Sequence, residues 1–492
     1  MSSFDPLNVN VRCAHFIGGL YRDAAAMLDV QRPSDAQSYA GLPIADAACV
    51  DEVVENAWRA FKTSDWASRP PRERARVMRR WADLIEADVA TLAPLESVGS
   101  TRPISETIAW DIPSVAEGIR FFAEFADKVG GEVAATATDH LGMQISEPYG
   151  VIAAIAPWNF PLSMACWKIA PALAAGNAVV FKPSEMTPFS CLRLAELAIV
   201  AGLPAGIFNV VQGNGRVTGM ALCKHPKISK VTFTGSTATG AAIMTACAES
   251  GPKPVTLELG GKSPQLVFAD VPDLARTARS IAKAITGNAG QVCVSGSRLI
   301  VQRAVLEPLI DEIQKAFALL KPGRTWDENT TLAPIISAAQ ANRIDTIVTR
   351  SRTAGAEVLT GGKLFDTLQG GAFYEPTLLL GVDADNPAVL EEIFGPVLTV
   401  QVFDDEEQGL ALADHPTYGL AAGVHTADLG RAMRAVRKLE VGTVWVNRYG
   451  RSADWIIPTG GYKRSGIGKD LGRAAFESNL RFKSVLIDIT DY

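Results

Sequence analysis

Residues 230–240 read Lys-Val-Thr-Phe-Thr-Gly-Ser-Thr-Ala-Thr-Gly, a β-branched run that breaks at Gly235 and re-enters a helix. Such a stretch predicts a strand, a tight turn and a helix start whose free N–H groups can receive a pyrophosphate. Ser236 adds a hydroxyl at that point, and Gly240 is the second glycine of the turn. The spacing is Gly-x-x-x-x-Gly, which departs from the usual dinucleotide fingerprint. Glycines at a strand–helix turn also serve packing alone, so the flanks have to decide. Working outward, Val151–Ala156, Asn177–Lys182, Phe208–Gln212, Lys230–Thr234 and Val255–Leu259 read as buried strands. Between them, Pro188–Ala201 reads as an amphipathic helix with Thr187 as N-cap, Pro188 in the first turn and Gly202 at its close. This alternation predicts parallel βαβ units with ligands at the carboxyl ends of the strands.

Further out, a second alternating set follows Gln265, through Ser297–Gln302, Phe373–Leu380, Val397–Phe403, Leu420–His425 and Thr443–Asn447. Leu306–Leu320 and Ser337–Thr353 read as its long helices. A β-rich insert at 130–146 interrupts the first set, and charged helices such as Pro71–Leu92 precede it. Two α/β domains with a cleft between them account for the 492 residues. Apolar residues make up 48% and charged residues 20%, so a large core needs no disulfide or metal staple. A net charge of −6 offers no cationic footprint for nucleic acid, and no apolar run reaches the ~18 residues of a membrane span.

Seven cysteines are widely spaced without Cys-x-x-Cys, and Met1 to Asn10 carry no signal-peptide pattern, which points to a reducing cytoplasm. The five histidines show no metal-ligand spacing and read as surface or turn residues, so no metal site is expected. Any nucleophile takes its base from a carboxylate or lysine.

Four segments carry chemistry. Lys182 and Glu185 stand at the end of a strand, where a carboxylate can accept both ribose hydroxyls of an adenosine and repel a 2′-phosphate. A solvated Lys/Glu pair is the alternative. Cys293 lies among glycines and small residues in Gly287-Asn288-Ala289-Gly290-Gln291-Val292-Cys293, where a ligand has room; other cysteines, such as Cys166, Cys191 and Cys247, read as inert small hydrophobes. Glu258 is a lone carboxylate ending an apolar strand, either paired or held with a raised pKa for general-base work. Gly260 and Gly261 after it let backbone approach something closely. Asn159 ends another buried strand, able to cap the next helix or to donate to an oxyanion.

Together, in this order and spacing, these segments resemble the NAD(P)-dependent aldehyde dehydrogenase superfamily. The resemblance runs from about residue 15 to the C-terminus. It rests on Glu-Leu-Gly-Gly-Lys-Ser at 258–263, Gly-Gln-x-Cys 35 residues after Glu258, Glu-Glu-Ile-Phe-Gly-Pro-Val at 391–397 and Pro-Thr-Gly-Gly-Tyr-Lys-Arg-Ser-Gly at 458–466. It implies an aldehyde dehydrogenase-like fold: two Rossmann-type α/β domains with a small β-rich oligomerisation element. The implied NAD-binding domain spans 1–128 and 147–260, the catalytic domain 261–470, and the oligomerisation element 129–146 and 471–492. The resemblance assigns Cys293 as nucleophile, Glu258 as general base and Asn159 as oxyanion donor beside the Cys293 N–H, with Lys168 nearby. Trp158, Lys182, Glu185, Gly235, Ser236, Gly240, Glu392 and Phe394 are the implied cofactor contacts, for NAD before NADP. The implied assembly is a dimer or tetramer. The implied reaction is oxidation of an aldehyde through a cysteine thiohemiacetal and thioester, released by Glu-activated water. Acyl transfer to CoA and a non-catalytic NAD-binding member are the alternatives.

The sequence departs from the family where substrate is expected. Gly287 replaces a common aromatic, Thr459 stands where phenylalanine is usual, and the 447–455 loop carries Arg451. The first two changes remove bulk. Arg451 can pair with an acidic substrate or lie in solvent. Phe160, Met164 and Trp167 match apolar lining positions, so the expected substrate is a medium-sized aldehyde, aromatic or bearing a remote carboxylate.

Overall fold

In a computed structural model describing residues 4–24, 27–366, 370–452 and 455–490, the strand Ile228–Thr234 lies inside an eight-stranded sheet. Five parallel strands form its middle in the order Phe208–Val210, Ala178–Lys182, Val151–Ile155, Ile228–Thr234, Val255–Glu258. Val151–Ile155 and Ala178–Lys182 are buried at every residue, as the continuous apolar runs of a covered parallel sheet require. The chain steps outward from Val151–Ile155 to Phe208–Val210, then returns to the other side at Ile228–Thr234. That reversal opens a crevice beyond the carboxyl ends of Val151–Ile155 and Ile228–Thr234, where such sheets hold ligands.

Antiparallel strands finish both edges. His15–Ile17 and Leu20–Arg22 close one, and Gly466–Ile467 pairs with the strand end Leu257–Glu258 on the other. The second sheet orders Glu357–Thr360, Thr377–Leu380, Val397–Phe403, Arg298–Gln302, Pro264–Val267, Ala421–His425 and Thr443–Val446, parallel apart from its first pair. A third sheet joins Glu132–Ala134, His140–Pro148 and Leu480–Asp488. Val133, Phe482 and Leu486 on it are exposed. Ala453 and Asp454 of the 447–455 loop, Asp491 and Tyr492 of the tail and residues 1–3 lie outside the described residues.

Several elements differ from the sequence expectation. The helix expected from Pro188 starts at Ser190, and Thr187 does not cap it. The Pro188 carbonyl accepts instead from the Gln212 side chain at 3.0 Å, and the Thr187 N–H turns back to Ser184. Its other end is as read, with Gly202 left-handed at φ 101°. The charged helix from Pro71 stops at Ala87 rather than Leu92, and Asp88 separates it from Val89–Gly99. The Asp88 carboxylate there takes two hydrogen bonds from Arg193. The strand expected from Phe373 begins at Thr377, because Pro376 has no N–H to give a ladder. His15, His225, His415 and His425 are buried, not at the surface. His225 and His415 accept backbone N–H groups in turns, while burial drops the pKa of His15, His415 and His425 to about 4.

Candidate active site

Asn159 follows the strand Val151–Ile155, and Glu258 is the last residue of its own strand. Cys293 comes after the helix Leu274–Thr286, which ends in a tight turn at Gly287–Gly290. Asn288 and Ala289 in that turn are left-handed, at φ 48° and 52°, a strain held by hydrogen bonds. Asn288 Nδ2 donates to the Asn159 carbonyl at 2.9 Å, and Thr101 donates to Asn288 Oδ1 at 2.7 Å. The Asn159 amide does not cap the next helix, whose N-cap is Phe160; its Nδ2 donates to the Gln291 carbonyl at 2.8 Å. Gln291 is itself fixed by Asn288, Pro334 and Ile336. Asn288 and Gln291 lay inside the quoted motif, but only the fold reveals their positioning role.

The two glycines after Glu258 have distinct neighbours. A Cβ on Gly261 would sit 2.5 Å from the Cys293 carbonyl, and one on Gly260 would collide with the Glu392 carboxylate. A Cβ on Gly460 would lie 2.7 Å from Glu258 Oε1. Glycine is thus required wherever backbone closes on these groups.

Glu258 is buried, and its Oε1 has no hydrogen-bond partner among the described residues. Desolvation raises its pKa well above the usual carboxylate range, with Asp470 adding to the rise and Lys168, Arg451 and Lys469 opposing it. The alternative of a paired Glu258 is therefore set aside. The Cys293 thiol is pushed up to about 12, mainly by desolvation; Arg451 pulls it down, while Glu258 and Glu392 push it further. A thiol so placed needs a base to become a nucleophile. Lys168 forms a buried ion pair with Asp470 at 2.6 Å and also reaches the Phe233 carbonyl. Asp470 was not singled out by sequence, since a lone acid far along the chain carries no motif.

On the other side of the crevice, Ser236 caps the helix Thr237–Glu249 by accepting the Thr239 N–H. Cβ atoms on Gly235 and Gly240 would strike Phe233 and Leu259, so both glycines serve close helix–strand packing. The buried Thr234 hydroxyl beside the turn has no partner among the described residues. Lys182 is buried, and its ammonium donates to the Pro183 carbonyl and, at 3.3 Å, to the half-exposed Glu185. Trp158 meets Phe394 edge to face at 5.3 Å. Glu392 and Phe394 line a narrow cleft with Gly261, Val292 and Ser295. Glu392 accepts the Gly261 N–H at 3.0 Å, and burial raises its pKa. A helix N-terminus, an orphaned hydroxyl and carboxylates at two separate points suit a dinucleotide with two riboses.

On the remaining side, Arg451 lies over the Trp167 ring at 4.7 Å and donates to Thr459. Thr459 pairs backbone to backbone with Asp470. Met164 is buried, Phe160 lies beneath the Arg102 guanidinium, and a Cβ on Gly287 would meet nothing within 4 Å.

Comparison with known proteins matches residues 21–485 to the model of the aldehyde dehydrogenase family. The chain is 41% identical over 476 residues to the NADP/NAD-dependent aldehyde dehydrogenase PuuC of Escherichia coli K12, covering 96% of this chain and 95% of that protein. An indole-3-acetaldehyde dehydrogenase of P. syringae, solved as a cysteine-to-alanine variant with NAD+ and IAA, superposes with a TM-score of 0.96 at 42% identity over 98% of each chain. The aldehyde dehydrogenase KauB of Pseudomonas aeruginosa gives 0.96 at 40% identity, covering 98% of this chain and 97% of that one. The same fold, shared over almost the full length with the motifs around Glu258 and Cys293 in place, makes this chain a member of the aldehyde dehydrogenase family.

Proposed function

We propose that this aldehyde dehydrogenase oxidises its substrate to a carboxylic acid with NAD, using Cys293 as nucleophile and Glu258 as base. One observation carries the assignment: a buried carboxylate whose Oε1 has no partner among the described residues ends the strand whose following Gly261 closes on the Cys293 backbone, and desolvation raises its pKa. Such a carboxylate is a stronger base than an exposed one and can take the thiol proton as sulfur attacks the carbonyl carbon. The resulting oxyanion is met by Asn159 Nδ2, which among the described residues donates only to the Gln291 carbonyl and so keeps a second N–H, and by the Cys293 backbone N–H. Bound NAD supplies the acceptor for the hydride that turns the hemithioacetal into a thioester. Once Glu258 has passed the thiol proton to solvent, it can take a proton from the water that attacks the thioester, which releases the acid and returns the Cys293 sulfur; its Oε1, without a partner among the described residues, can accept that water's hydrogen.

Lys182 and Glu185 would hold the adenosine ribose, Trp158, Gly235, Ser236 and Gly240 the pyrophosphate turn, and Glu392 and Phe394 the nicotinamide end. The relatives with NAD in their names and complexes support this. Lys168 supports the base through its field rather than by direct contact. The domain division at 1–128 and 147–260, 261–470, and 129–146 with 471–492 belongs to the same proposal, as does a homo-oligomer formed through the exposed apolar residues of the third sheet. A cytoplasmic location agrees with the absence of any described helix long and apolar enough to cross a membrane, and with seven unpaired cysteines.

The test is formation of reduced cofactor from a panel of aldehydes without CoA, using wild type and Cys293→Ala. Activity in wild type, lost in the variant while NAD still binds, is expected. Activity retained by the variant rejects Cys293, and activity that appears only with CoA replaces water by CoA as acyl acceptor.

A further inference from the structure

Arg451 is the charged group whose field ranks first among those acting on the Cys293 thiol, and it acts on Glu258 as well. Its side chain is half-buried, and desolvation lowers its pKa. Its one described side-chain hydrogen bond goes to the neutral Thr459 hydroxyl, and its face rests on Trp167. Among the described residues no carboxylate lies within ion-pair distance of it. Glu258, the nearest candidate on electrostatic grounds, is held toward its neutral form by burial. A desolvated cation without a counter-charge is costly unless a ligand supplies one. Arg448, three residues earlier, is different: it is exposed and closes on the Gly450 carbonyl.

Guanidinium presents five N–H donors in a planar fork, matched to a carboxylate. Thr459 engages one of Arg451's, and the Trp167 ring fixes the plane of the rest.

We propose that Arg451 makes this enzyme select aldehydes carrying a carboxylate, which it pairs while Cys293 attacks the aldehyde carbon. The inference rests on Cys293 being the nucleophile. A cationic aminoaldehyde would face like-charge repulsion at the same point.

The experiment is steady-state kcat/KM for 4-oxobutanoate, pentanal and 4-aminobutanal in wild type, Arg451→Lys and Arg451→Met, with the rate of Cys293 alkylation by iodoacetamide measured alongside. Wild type should prefer the anion to the neutral aldehyde by about 10- to 100-fold, the range of a charge-assisted pair, with the cation last. Arg451→Met should bring the anion-to-neutral ratio close to one, and Arg451→Lys should restore part of it. Pentanal oxidation by the methionine variant reports that it folds. A wild-type ratio near one overturns the proposal. So does an equal fall for both substrates in Arg451→Met together with slower alkylation, which would make Arg451 a group that acts on the thiol alone. Failure of the underlying reading looks different: oxidation of any probe would then survive Cys293→Ala.

Discussion

The nucleotide side and the aldehyde side of the crevice use the same kinds of buried polar group in opposite ways. Burial raises the pKa of both Glu392 and Glu258. Glu392 spends an oxygen on the Gly261 N–H, whereas Glu258 Oε1 has no partner. Lys182 is likewise tied to Glu185 and the Pro183 carbonyl, while Arg451 holds a hydroxyl and an aromatic face but, among the described residues, no counter-charge. A bonded group has a fixed direction and serves recognition. An unbonded one keeps its capacity to move a proton or pair with what arrives, at a cost in stability.

The sharpest way to break this contrast is to neutralise the two carboxylates separately. Glu258→Gln should lower kcat by ~10²–10⁴-fold, the scale of general-base catalysis, while Glu392→Gln should act mainly on the KM for NAD. Since burial lifts Glu258, ionisation and wild-type kcat should both climb with pH well beyond the ordinary carboxylate range. Glu258→Gln should flatten that limb of the pH–rate profile, and an unchanged limb would remove Glu258 as its source.

Next in size is the pair Lys168–Asp470, the matched exception on the aldehyde side. Asp470→Asn leaves a buried ammonium alone and should cost ~3–5 kcal/mol in denaturant unfolding. A change under ~1 kcal/mol would mean that water reaches the ammonium.

Glu96 tests the scaffold behind both sides. It is buried, accepts from the Leu162 N–H and the Ser190 hydroxyl, and desolvation raises its pKa to about 7. The folded state keeps a proton that the unfolded state gives up near the ordinary carboxylate value. Stability should therefore fall as pH rises from about 4.5 to 7, by as much as ~3 kcal/mol. Glu96→Gln should remove that slope in Tm against pH. The smallest effect is expected at the half-exposed Glu185, where Glu185→Ser should lower the preference for NAD over NADP several-fold; no shift in the kcat/KM ratio would take Glu185 out of the ribose site.

Much of this was legible in the sequence because it is local. Val397–Phe403 forms the strand its β-branched run predicts, and the helix expected over Ser337–Thr353 forms at Ala338–Thr353, with Ser337 as its cap. The parallel strands of the first sheet followed from alternation, but their order, and with it the switch point, did not. Groups whose meaning comes from a distant partner were not legible. Asp470 meets Lys168 across 302 residues, and Thr101 meets Asn288 across 187. Thr187 misled for the opposite reason: its local pattern was a good cap, but Gln212 had already taken the neighbouring carbonyl.

The pairing of Glu258 with Gly466 has a consequence in time. The strand bearing the base is made near the middle of the chain, yet its edge partner emerges close to the end. At ~5–20 residues per second of synthesis, the nascent polypeptide waits on the order of 10 to 40 seconds between the two. Until then the edge beside Glu258 is unpaired, Gly460 is not seated against its carboxylate, and Lys168 has no Asp470. The surroundings of Glu258 are therefore complete only when the last stretch of the polypeptide is threaded back against the first sheet.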